Sequence, residues 1–113
     1  MRLATRDGRT RLTAHTAVLY FCFQRAGTDD PARITVTTQG CVTGASPTTV
    51  DVPGAAHEWE AVPIEITICD EGTGVVSATY NYLHRAQFPP LAGAAVDVTA
   101  SSDGVLIEEP RLR

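Results

Sequence analysis

The stretch WEAVPIEITICDEGTGVVSATYNYL, residues 59–83, decides the fold class. Val62, Ile64, Ile66 and Ile68 recur at every second position, with Glu65, Thr67 and Cys69 between them. Beyond Asp70-Glu71-Gly72-Thr73-Gly74, the series Val76, Ala78, Tyr80, Tyr82 repeats the pattern, with Ser77 and Thr79 between. Successive side chains of a strand point to opposite faces, so each run is a strand with one apolar and one wet face. The simplest pairing is a hairpin in which Ile68 opposes Val76, Ile66 Ala78, Ile64 Tyr80 and Val62 Tyr82. A slip of one residue would turn every apolar side chain to water, which fixes that register. Pro63 has no N–H to give to a ladder, so the first strand is expected at an edge, or bulged there.

Working outward, Arg11 to Arg25 is the most apolar segment. Ala17, Leu19, Phe21 and Phe23 share one face, and Val18, Tyr20 and Cys22 the other. Val, Tyr, Phe and Thr favour strands over helices, and a strand apolar on both faces is expected to be central and covered on both sides. Ile34 and Val36 alternate with Arg33, Thr35 and Thr37 in a half-buried strand, and Thr48 to Val52 forms a short one. At the far end, a four-residue loop Ser101 to Gly104 opposes Ala100 to Val105 and Val98 to Ile107. A two-residue loop would set Val98 against Glu109. The segment from His84 to Gly93 is long enough to cross between sheets. The expected fold is all-β: an antiparallel β-sandwich, or a small barrel, of about seven to eight strands. Residues 1–10 form an N-terminal arm or a first edge strand, and 11–113 a single domain.

The chain has 113 residues, 43% hydrophobic and 19% charged. That is one domain, able to bury about 65% of its unfolded surface without obligatory staples. No apolar run approaches the length of a membrane-spanning helix. A formal charge of −4 and a pI near 5.2 argue against general affinity for nucleic acid. No nucleic-acid or membrane partner is expected. All nine basic residues are arginine, so no side-chain amine offers Schiff-base chemistry.

Three cysteines, Cys22, Cys41 and Cys69, cannot all be paired, and no C-x-x-C spacing suggests zinc. At most one bridge closes within the chain. The start makes a poor secretion signal, because its apolar piece is short and Gln24-Arg25-Ala26 lacks a small residue where cleavage needs one. The expectation is therefore reduced thiols, with Cys69 reactive beside its turn and Cys22 shielded, in a cytoplasmic or virion protein.

The chemistry-bearing residues are sparse. His15, His57 and His84 each stand alone, although folding could set Cys22 beside His15 or His84. There is no nucleophile elbow, phosphate loop or His-Glu-x-x-His motif. His57-Glu58-Trp59-Glu60 divides its ligands between two strand faces, and Asp29-Asp30 and Asp70-Glu71 fit solvated turns better than calcium loops. No enzyme activity, metal or cofactor is expected.

Arg2, Arg6, Arg9 and Arg11 crowd one end of an acidic chain, where an acidic surface of a neighbouring subunit would attract them. Asp29-Asp30, Asp70-Glu71 and Glu108-Glu109 are candidate acceptors. Trp59 and Phe88 are the aromatic residues left for surface anchoring. The expected function is a non-enzymatic structural or interaction subunit of a larger, homo-oligomeric or mixed assembly, such as a bacteriophage capsid-decoration or tail protein. The alternative is a small carbohydrate- or peptide-binding β-sandwich.

Overall fold

In the computed structural model, which describes residues 1–54, 56–84 and 89–109, the chain forms ten strands and two antiparallel sheets. The strands are β1 (Arg2–Thr5), β2 (Arg11–Leu12), β3 (Thr16–Gln24), β4 (Ala32–Gly40), β5 (Val42–Ser46), β6 (Thr49–Val52), β7 (Trp59–Ile68), β8 (Gly72–Tyr82), β9 (Ala92–Ser101) and β10 (Gly104–Glu108). One sheet has the order β1-β3-β7-β5, the other β2-β10-β9-β8-β4-β6. They pack face to face as the expected all-β sandwich.

The apolar faces read from residues 59–83 are where alternation puts them. Ile64, Ile66, Val76 and Ala78 are fully buried, Ile68 and Tyr80 nearly so. Their pairing is not the expected hairpin. β7 lies between β3 and β5, and β8 between β4 and β9, so the two strands belong to opposite sheets. Ile66 pairs with Ala17 and Ala45, and Ala78 with Val36 and Ala94. Period-two alternation states which face is apolar. It does not state whether two such strands lie side by side or face each other across a core, because both arrangements bury the same side chains.

The corner at residues 69–74 shows what decides it. The Cys69 N–H donates to the Cys41 carbonyl and the Cys41 N–H to the Thr73 carbonyl, so the β4–β5 corner is wedged between the ends of β7 and β8. A Cβ at Gly74 would collide with the backbone of Gln39, Cys41 and Val42, and Gly40 turns there with a φ of 62°. These glycines admit the close backbone approach on which the corner depends. The short link at residues 69–71 thus changes sheet. The longer stretch expected to do so returns instead to the same sheet, where β8 pairs with β9 from Gly72↔Ala100 to Tyr80↔Ala92.

β3 also departs from expectation. Arg11 and Leu12 pair with β10 in the larger sheet, and β3 starts at Thr16 in the smaller one. β3 is interior to its sheet, with Leu19, Phe21 and Phe23 fully buried, but it is covered on one face only. Phe21 and Phe23 stack at 5.2 Å between centroids, and Phe23 meets Tyr80 of the opposite sheet at 4.6 Å. Burying each such ring contributes roughly 1.5–3 kcal/mol. On the other face Tyr20 and Cys22 are half-buried and Val18 is 41% exposed.

Pro63 pairs with Tyr20 on one side. On the other, β5 reaches only from Glu65 to Ile68, so at Pro63 the strand is locally an edge. The β9–β10 hairpin has the expected register, Val105↔Ala100 and Ile107↔Val98, and closes further with Gly104↔Ser101.

Candidate interaction surface

β1 completes the smaller sheet of its own chain, with Leu3 buried and Arg2↔Cys22 through Thr5↔Leu19 paired to β3. The backbone of this arm is therefore paired within the chain on that side, and β1 forms one edge of the sheet. Its arginines remain at the surface. Arg2 lies 3.5 Å from Glu109, and Arg9 pairs with Asp7 at 2.9 Å. Arg6 and Arg11 are exposed and have no ion-pair partner among the described residues.

Two shallow clefts flank the turn between β1 and β2. One, of about 590 Å³, is lined by Arg6, Arg9, Arg11 and the β3 residues Thr16, Ala17 and Val18. The other, of about 470 Å³, lies against the outward face of the smaller sheet, where Arg2, Ala4 and Arg6 meet Tyr20, Cys22 and Ala61. Cross-strand pairing continues this face through Tyr20↔Pro63, Val18↔Glu65 and Gln24↔Trp59. Trp59, 66% exposed, therefore shares a face with Arg2 and Arg6, whereas Arg9 and Arg11 lie at its border. Phe88 lies outside the described residues.

Val18, Tyr20 and Cys22 are the members of this surface that alternation alone assigns to a covered face. The doubly apolar β3 carries their signal, since a strand apolar on both faces is expected to be covered on both sides. The outward face of the larger sheet gives the contrast. There the pairs Arg33↔Asn81, Thr35↔Thr79 and Thr37↔Ser77 make a hydroxyl-rich and charged surface. An antiparallel sheet with one solvated face ordinarily looks like that.

The cysteines correct a second expectation. Cys41 and Cys69 are joined by a disulfide with Cα atoms 5.0 Å apart, and Cys22 is the free thiol. An odd count forbids complete pairing but not one bridge, and the wedge at the β4–β5 corner brings these two together. His15 is tied into the same end, with Nδ1 2.8 Å from the Cys69 carbonyl oxygen, rather than facing Cys22.

At the opposite end, Arg25 donates two hydrogen bonds to Glu60, at 2.7 and 2.6 Å. Those bonds hold the Glu60 carboxyl below the usual carboxylate range, against the opposing effect of partial burial, and raise the Arg25 guanidinium further. His57 Nδ1 lies 3.0 Å from the Arg25 carbonyl oxygen. Among the described residues no cluster of three metal-ligating side chains occurs.

Two solved structures have this architecture. SSP-19, an MSP-domain protein like family member in Caenorhabditis elegans, superposes with a TM-score of 0.52 at 7% identity, over 80% of this chain and 89% of its own. WR4, a C. elegans MSP family member, gives 0.51 at 9% identity over 80% and 88%. The arrangement of strands in this chain is similar to that of these two β-sandwiches. Identity this low carries the arrangement of strands and nothing about the surface. No family model matches the sequence, and no curated protein matches it. The outward face of the smaller sheet is thus read from this chain's own residues.

Proposed function

We propose that the protein is a non-enzymatic structural subunit that works by binding other protein copies in a larger assembly. The observation that carries this reading is the outward face of the four-stranded sheet. Ala4, Val18, Tyr20, Cys22, Ala61, Pro63 and Trp59 stand where a solvated sheet would have polar side chains. Contiguous apolar surface of this kind, rimmed by charge, marks sites of protein association. A virion particle, as in a capsid-decoration or tail protein, is the setting we favour over the cytoplasm, because disulfides persist at virion surfaces and are rare in reducing cytosol.

The test is solution mass by light scattering across protein concentration. Assembly is expected, with Tyr20→Asp shifting the population to smaller species while far-ultraviolet circular dichroism stays that of a β protein. A monomeric mass at every concentration overturns the reading.

A further inference from the structure

We infer that the partner on this face is a second copy of the same chain, docked about a two-fold axis that runs parallel to the strands between β3 and β7. This rests on the assembly reading above and adds the occupant and its geometry. The argument begins with the register. Outward side chains of β3 and β7 form rows across the sheet: Cys22 beside Ala61, Tyr20 beside Pro63, Val18 beside Glu65. A rotation about an axis along the strands keeps each row in place and exchanges its two ends. Tyr20 then stands over the partner's Pro63, and Cys22 over the partner's Ala61. Both contacts are made twice, as a two-fold interface requires. The aromatic ring meets the flat pyrrolidine, and the small side chain meets a smaller one.

The charges follow the same rule. Arg6 borders the β1 side of the face, next to Val18, and Glu65 stands on the β7 side. Both are exposed, and neither has an ion-pair partner among the described residues. The rotation carries Glu65 of each copy over Val18 of the other, within reach of the long Arg6 side chain. The alternative axis, across the strands, inverts the rows. It keeps each strand over its own copy and leaves arginine on the same side as arginine.

The area is sufficient for a reversible contact. β1, β3, β7 and β5 contribute 4, 9, 10 and 5 residues, which at about 3.4 Å per residue and about 4.8 Å between strands span on the order of 460 Å², roughly 900 Å² for the pair of faces. Stable interfaces begin at about 1,000 Å² and average about 1,600 Å², so this is the area of a weak dimer in exchange with monomer. Aligned sheets pack about 30° apart, which leaves the central rows, Tyr20 with Pro63 and Cys22 with Ala61, in closest register.

Charge reversal tests this on the full chain. Arg6→Glu and Glu65→Arg are each expected to weaken dimerisation about tenfold in sedimentation, and the double variant to restore it. Restoration is specific to a second copy, because a different partner would be lost twice. Proximity is tested independently by mixing the wild type with a Cys22→Ser, Ala61→Cys chain, because Cys22 and Ala61 are neighbours within one chain. A short bismaleimide is expected to join Cys22 of one copy to the introduced thiol of the other, whereas the same thiol placed by Thr35→Cys, on the outward face of the larger sheet, is not joined. If the protein assembles but the double variant does not recover and Ala61→Cys gives no crosslink, the two-fold arrangement is wrong while the assembly reading stands. A protein that stays monomeric at all concentrations removes both.

Discussion

Ile66 and Thr67 are neighbours in sequence that the fold treats as opposites. Ile66 has no accessible surface and packs in the core, while Thr67 is exposed on β7. Ile66→Ala removes a branched side chain and leaves a cavity, and is expected to cost about 2–5 kcal/mol. Thr67→Ala is expected to cost less than about 1 kcal/mol, as exposed sites do. Denaturant titration of the two variants checks the pair, and equal costs would mean that both faces of β7 are covered. The thiols divide just as sharply. Native alkylation is expected to label Cys22 alone. Denaturation without reductant should add no further site, and reduction should add two, which intact-mass spectrometry counts directly.

At the scale of elements, the fold is fastened where strands change sheet. The disulfide closes a loop with a sequence separation of 28 between the β4–β5 corner and the end of β7. Chain-entropy accounting for a loop of that length gives about 3–4 kcal/mol, so Cys41→Ser with Cys69→Ser is expected to lower the unfolding free energy by that order. Near the other end, the Arg25–Glu60 bridge joins the chain leaving β3 to the start of β7. The folded protein holds the Glu60 carboxyl below its ordinary value of 4.5, so the unfolded chain binds the acid proton more readily. The bridge therefore contributes fully above pH 4.5, and its contribution is lost as pH falls through the lower, folded value. Comparing urea midpoints of the wild type and Glu60→Gln over this range should show a gap at neutral pH that closes in acid.

For the whole molecule, the two outward faces set the direction of association. The larger sheet presents threonine, serine and charge to water, and the smaller presents Tyr20, Pro63 and Trp59 beside the exposed Arg6. Assembly through an apolar centre with a charged border predicts that higher salt weakens it only moderately. Salt screens the exposed Arg6 and Glu65 but not the buried contact. Sedimentation at low and high salt checks this, and an association abolished by salt would point to the arginines alone.

Alternation along the chain is enough to assign the faces. Alternation placed Ile64, Ile66, Ile68, Val76, Ala78 and Tyr80 in the core, and the apolar match at Ala100 and Val105 set the last hairpin's register, because burying apolar area and satisfying the ladder leave one choice there. Much of the candidate surface was also named in advance, through Arg2, Arg6 and Trp59. Tertiary structure alone decided which strands are neighbours. β7 and β8 satisfy the same pattern as a hairpin or across the sandwich, and the wedge of Cys41, the glycines at 40 and 74 and the disulfide select the second. It also decided that β3 is covered on one side. A doubly apolar strand states that both faces prefer to leave water, and this chain supplies a second sheet for only one of them.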